Sequence, residues 1–340
     1  MSGKTDEITE ETKRQSSPFT VTKPPSGPSP SEESVCRRNG LGLSLPHVRA
    51  SGLVPLVLAA ALVCLVSLGP FVAPVQANYE TKSALISKFK ALAEKHPSKA
   101  SYVSAGLSYQ GRSIWLFRYG NPDGKRILWD AQLHGSEDLG SEIMYYMAQW
   151  LLESGDPRAT RILQTCYILF IPVINVDSYS RGNANKYGGT APNGVDLNRN
   201  FVYEWGSSGS GSRTSTNYRG PYAGSEKETQ VMRRVFSTYR PRFYLNTHTG
   251  GGPYLAYYWR SSSTIVNTVR SRISSLSSQA GVAPYKIQAC GWGGMAVSDA
   301  YAFGAVSWLL ELTGGTSPSY SSVYNYYLKC RPILIAMSQS

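Results

Sequence analysis

The chain has 340 residues, 41% of them hydrophobic and 16% charged, with a formal charge of +12. That length and apolar content suit one large domain or two modest ones, and a mean hydropathy of −0.25 excludes a polytopic membrane protein. Seven basic and six acidic residues precede residue 78, so nearly all of the excess lies beyond it, scattered, with no Lys/Arg block of five and no nucleic-acid motif. A nucleic-acid partner is therefore not expected, although a basic surface suits attraction to an acidic cell surface or wall polymer.

Residues 1–50 are rich in Ser, Pro, Lys and Glu, with "KPPSGPSPSEES" at the centre. Such a composition cannot bury a core and predicts a disordered tail. Residues 51–77, "SGLVPLVLAAALVCLVSLGPFVAPVQA", carry no charge and follow Arg37, Arg38 and Arg49. The basic residues predict a cytoplasmic N-terminus. The apolar part from Leu56 to Leu68 has the length of a signal-peptide h-region, and "VQA" before Asn78 matches a small-residue cleavage pattern. An uncleaved signal anchor is the other reading, favoured by the long segment before it. Either one places residues 78–340 outside the cytoplasm, secreted or membrane-anchored. A membrane partner is expected only if 51–77 stays uncleaved.

From residue 78 helical and strand patterns alternate. "TKSALISKFKALAEKH" sets Leu85, Phe89 and Leu92 on one helix face. It ends at His96, where a histidine complements the helix dipole. "RILWDAQL" predicts a strand running to His134, and "GSEIMYYMAQWLLES" a helix with Ile143, Met147 and Leu151 in phase. "CYILFIPVI" reads as a buried strand holding Cys166. "SEKETQVMRRVF" predicts a helix with Ser225 and Glu228 at capping-box spacing. "RFYLNTH" and "AVSWLLEL" predict further strands. Residues 178–224 are rich in Gly, Ser, Asn and Tyr and lack periodicity, and so long a loop is usually functional. The alternation predicts a single α/β domain over 78–340, with a central mixed, mostly buried β-sheet flanked by helices. Of five cysteines, Cys36 and Cys64 lie before residue 78, and Cys290 and Cys330 are positioned late enough to pair in an oxidising compartment. No CxxC exists for a thiolate zinc site.

Histidine is scarce, with four in the chain, and His47 falls in the tail. His134 and His248 both lie just past predicted strands, where open α/β sheets bind ligands. A lone histidine there is more often a satisfied structural group. Two at matching places, one with an acid three residues on, suit a metal. His134 and Glu137 form an H-x-x-E pair, whereas Asp138 and Glu142 lack that spacing and suit the helix entrance. Two imidazoles and a carboxylate serve zinc well and leave a position for water. HExxH is absent. Glu311, the one charge in "GAVSWLLELTGG", is a candidate base or an ordinary strand-end acid. In "GVDLNRNF", Asn198 and Arg199 offer donors suited to a carboxylate.

Residues 78–340 resemble the zinc metallocarboxypeptidases, the family of the pancreatic digestive carboxypeptidases. The resemblance rests on "GLSYQGRSIW", "LHGSE", "IPVINVDSY", "GVDLNRNF", "YRGPYAGSEKET", "NTH" and "WLLEL" in the family's order. It implies one Zn2+ per chain held by His134, Glu137 and His248. It further implies a zinc-bound water activated by Glu311, and an oxyanion assisted by Arg181 of "NVDSYSRGN". Asn198 and Arg199 match the pair that holds a substrate's terminal carboxylate. The implied substrate is a peptide or protein with a free C-terminus, and the expected state is a monomer. Alternatives are wall-peptide trimming, amide deacylation on the same fold, or a non-catalytic binding module. The sequence also departs from the family pattern. Ile287 stands where a substrate-capping Tyr is common, with Tyr285 two residues away. The side-chain specificity position falls on Ala296 or Ser298 and supplies no acid, unless Asp299 turns into the pocket. The first helix follows Asn78 too closely for a folded inhibitory prodomain to intervene.

Overall fold

A computed structural model describes residues 78–178, 194–315 and 318–340. The tail 1–50, the apolar run 51–77 and Arg181 lie outside the described residues. No helix among the described residues is long and apolar enough to cross a membrane.

Helix α1 (Lys82–Lys95) starts where Thr81 Oγ1 accepts from Ala84 N at 3.3 Å, and buries Leu85, Phe89 and Leu92. It stops at His96 because Pro97 disfavours a helical residue before it. His96 Nε2 lies 3.3 Å from Glu153 Oε1. An antiparallel hairpin follows, β1 (Ala100–Leu107) and β2 (Ser113–Gly120). Next come β3 (Lys125–Asp130), α2 (Leu139–Glu153), α3 (Pro157–Thr165) and β4 (Cys166–Ile171). Asp156 caps α3, its carboxylate accepting from Arg158 N at 2.8 Å. Further along come α4 (Lys227–Tyr239), β5 (Phe243–His248), β6 (Tyr254–Tyr258), α5 (Ser263–Gln279) and β7 (Lys286–Cys290). The chain closes with α6 (Ala296–Ala302), β8 (Val306–Glu311) and α7 (Val323–Ser338).

The strands form one mixed sheet of eight, in the order β1-β2-β4-β3-β5-β8-β6-β7. Its centre, β4-β3-β5-β8, is parallel. Central strands are buried on both faces, as parallel sheets require. Ile127, Trp129, Leu245 and Trp308 pack on one side with α1, α2, α3, α5 and α7. Leu128, Leu169, Tyr244 and Leu309 pack on the other with α4 and α6. This is the expected α/β architecture.

Three local expectations change. The β3 strand ends at Asp130 and not at His134, because Gln132 takes a left-handed φ of 51° that turns the chain out of the sheet. The α4 helix forms without a capping box. Its N-cap is Glu226, and the Glu228 carboxylate instead accepts from Tyr109 N at 2.8 Å, tying the helix to the β1–β2 turn. Cys290 and Cys330 do not pair; both are free and buried, and Cys330 Sγ sits 4.0 Å from Tyr285 Oη in the core.

Candidate metal centre

Strand order decides where chemistry gathers. The chain leaves β3 toward β4 on one side and returns to β5 on the other, so the C-terminal ends of β3 and β5 open at a switch point. His134 and Glu137 lie in the turn after β3, and His248 ends β5. Their ligand atoms all lie within 4.8 Å of one another. Glu137 Oε1 lies 2.8 Å from His134 Nδ1, and Oε2 lies 2.9 Å from His248 Nδ1. The two imidazole rings stand 4.8 Å apart, centre to centre. Two imidazole nitrogens and a carboxylate facing one point form a donor set that fits zinc.

The turn that carries this pair is tightly built. The backbone of Glu137 donates to His134 O at 3.2 Å, closing one turn that brings both side chains together. Gly135 has no room for a side chain, since a Cβ there would come within 1.6 Å of Ser178 O. Asp138 and Glu142 are excluded from the group by other partners. Gln132 Nε2 donates to Asp138 Oδ1 at 2.5 Å, and Glu80 N donates to Glu142 Oε1 at 2.8 Å.

Each histidine is held from behind. His134 Nε2 lies 3.2 Å from Asp196 Oδ1, and His248 Nε2 lies 2.6 Å from Asn246 Oδ1. Burial works against charge on His134, but Glu137 and Asp196 outweigh it and raise its pKa above the ordinary imidazole range. Burial also opposes the charge of Glu137, yet His134 and His248 hold its carboxyl below the usual range. Asp196 is likewise lowered, against its burial, by His134 and Arg199. A metal would take over the place of the shared protons.

Glu311 ends β8, and the β5–β8 register pairs it directly with His248. Its Oε2 accepts from Gly251 N at 3.0 Å. A Cβ at 251 would stand 2.6 Å from the Glu311 carboxyl carbon, so the glycine leaves the acid its place. Burial raises the Glu311 pKa above its ordinary value, with His248 and the Gly251 N–H opposing it.

Residues 197–199 form a short 3-10 turn capped by Asp196, which accepts from Asn198 N at 2.9 Å. Asn198 is 2% exposed and its amide faces inward. Its Oδ1 accepts from Ala296 N at 3.0 Å, and its Nδ2 lies 3.0 Å from His248 Nε2. Arg199 is half-buried and donates through Nη1 to Asn198 O at 2.8 Å. Asn200 is wholly buried and serves the loop, with Nδ2 donating to Arg219 O at 2.8 Å and Oδ1 accepting from Glu226 N at 3.0 Å.

Two expectations about specificity are corrected. Tyr285 is buried with its hydroxyl against Cys330, so it does not stand over the metal group. Asp299 does not turn into a pocket. It is ion-paired to Arg233 at 2.8 Å and accepts from Val202 N and Tyr203 N. Ser298 is spent on its own helix, its Oγ donating to Met295 O at 2.7 Å.

Asp130, Asp196 and Asn246 join the site without a spacing or scarcity signal of their own. Asp196 lies within "GVDLNRNF", beside Asn198 and Arg199. Asp130 carried the same signal as Glu311, a lone acid in an apolar strand.

The sequence profile described as zinc carboxypeptidase matches residues 85–331. Mast cell carboxypeptidase A of Mus musculus is 29% identical over 170 residues, covering 46% of this chain and 41% of that protein. Carboxypeptidase A6 of Homo sapiens is 28% identical over 192 residues, covering 52% and 44%. The match thus spans less than half the length of these relatives. Among solved structures, carboxypeptidase A of Helicoverpa armigera superposes with a TM-score of 0.69 at 20% identity, covering 77% of this chain and 73% of that one. A metallo-carboxypeptidase of Burkholderia cenocepacia gives 0.58 at 15% identity, covering 77% and 69%. With the profile match spanning most of the chain, the protein belongs to the zinc carboxypeptidase family.

Proposed function

We propose that the protein is a metallocarboxypeptidase that hydrolyses the C-terminal peptide bond of peptides or proteins. The observation that carries this reading is the β5–β8 register, which sets Glu311 beside His248 of the His134–Glu137–His248 group. Zinc in that group would supply Lewis-acid polarisation of a carbonyl and acidification of a water. Glu311 is the base. Its carboxylate takes a proton from the attacking water and passes it to the leaving amine nitrogen. Gly251 N–H orients the acid, and burial raises its proton affinity. Arg199 is the donor for the substrate's terminal carboxylate, since a half-buried guanidinium offers paired N–H groups suited to a carboxylate. Asn198 supports it from beneath through its carbonyl. Arg181 is assigned by resemblance alone to the developing oxyanion, where losing such a donor costs about 3–4 kcal/mol of barrier. The Asn198–Arg199 pair suits a free terminal carboxylate, which favours peptide trimming over amide deacylation, whether the peptide is a protein's or a wall's. The apolar run 51–77 supports a domain working outside the cytoplasm.

The test is to incubate the full chain with a mixed peptide library and follow masses with time. Stepwise loss of C-terminal residues is expected, stopped by a chelator and by C-terminal amidation. Internal cuts, or loss that continues in chelator, overturn the reading.

A further inference from the structure

A buried polar chain runs along the α4/α6 face of the sheet and ends on a metal-group histidine. Tyr244, Asn246 and His248 alternate along β5 and so point the same way. Asp130, at the end of β3, is the register partner of Asn246. Tyr244 Oη donates to Asp130 Oδ2 at 2.5 Å, and Asn246 Nδ2 donates to Asp130 Oδ1 at 2.6 Å. That second bond settles which way the Asn246 amide faces. Its oxygen is left pointing at His248 Nε2, 2.6 Å away. Tyr244, Asp130 and Asn246 are wholly buried.

The proton count on His248 decides what this chain does. For Nδ1 to offer its lone pair toward the point shared with Glu137, Nε2 must carry the ring's one hydrogen. Nε2 then needs an acceptor. Asn198 cannot supply one. Its own oxygen is engaged by Ala296 N, which turns the donor Nδ2 toward the ring. Asn246 Oδ1 is the acceptor within reach. The Asp130 carboxyl, fixed by Tyr244 Oη and Asn246 Nδ2, anchors the amide, and groups behind a ligating histidine set both its tautomer and its basicity.

We propose that Asn246, anchored by Asp130 and Tyr244, is a positioning residue that holds His248 in the Nε2-protonated form with Nδ1 turned to the metal. The inference rests on the metal reading above and concerns zinc affinity in the first place.

The test uses the full chain and measures the zinc dissociation constant by competition with a chromophoric chelator. Thermal unfolding of the zinc-free protein is followed in parallel. Asn246→Leu removes the acceptor, and zinc affinity should fall about tenfold or more, within the range found when such partners are lost. Asn246→Ala, which also lacks a side-chain acceptor, serves the same comparison if the leucine variant does not fold. The double swap Asp130→Asn with Asn246→Asp rebuilds the chain. The new amide at 130 donates to the new carboxylate at 246, which again accepts from Nε2–H, and the charge is unchanged. Zinc affinity in the swap should return to within about threefold of the parent. A role confined to stability would lower the unfolding temperature and leave zinc binding by the folded variant intact. A folded position-246 variant that binds zinc within about twofold of the parent overturns the proposal. So does a swap that stays folded but binds as weakly as Asn246→Leu. A parent that binds no zinc removes the metal reading itself and this inference with it.

Discussion

Glu311 can act as a base only if it stays where Gly251 leaves room for it. A Cβ at 251 would stand 2.6 Å from the carboxyl carbon of Glu311, the free end of a flexible side chain, so the acid must move to make room. Gly251→Ala should therefore push Glu311 aside while sparing the metal group. A displacement of about 1 Å at a reacting group costs roughly 100-fold in rate. The expected outcome is a fall in kcat of about that size, with the zinc dissociation constant unchanged. A variant that keeps parental kcat would show that Glu311 does not depend on Gly251 for its working position. At this scale much of the site was readable. His134, Glu137, His248 and Glu311 announced themselves by scarcity, spacing and isolation in apolar runs. Asp130 and Asn246 stayed hidden, because their value comes from facing each other across β3 and β5, and register is invisible before the strands are paired.

The entrance of α2 shows how an element can hold a titrating group for its own packing. Glu142 is 1% exposed on the first turn of α2, accepting from Glu80 N at 2.8 Å and standing 3.4 Å from Tyr320 Oη. Burial raises its pKa from 4.5 to about 7, against the Glu80 N–H and Lys88. The folded state therefore binds more protons than the unfolded chain between those values. Its contribution is fully present below pH 4.5 and is lost as pH rises toward 7. Glu142→Gln, uncharged throughout, should gain on the parent across that window, by on the order of 1–3 kcal/mol once above it. Unfolding midpoints of both proteins at pH 5 and pH 8 check this, and a difference independent of pH would refute it. Elements with a strong single period were legible: α1, α2, α4, β4, β5 and β8 all appear where the pattern placed them. Those passed over lacked that signal. The α5 helix is built from Ser, Thr, Val and Ile, which favour helix weakly, and α7 runs through Pro332. Both are helices because their apolar sides cover the same sheet face, a tertiary effect that local propensity does not carry.

In the whole molecule the metal group joins two segments remote in sequence. His134 and Glu137 follow β3, while His248 closes β5, with α2, α3, β4 and α4 between them. The unfolded chain has no such constellation, so zinc binds the native state and stabilises it by RT ln(1 + [Zn]/Kd), about 4 kcal/mol at a thousandfold excess over Kd. For a domain of this size roughly 2 °C of unfolding temperature accompanies each kcal/mol, so saturating zinc should raise it by about 8 °C. His248→Ala removes one of three donors and leaves Asn246 Oδ1 without its partner. That variant should unfold at a lower temperature without metal and gain almost nothing when zinc is added. The two effects separate by titration. A packing loss is constant with zinc concentration, whereas the metal contribution grows logarithmically above Kd in the parent alone. Equal zinc-dependent shifts in parent and variant would place the ion elsewhere on the chain and remove the basis for a metallopeptidase.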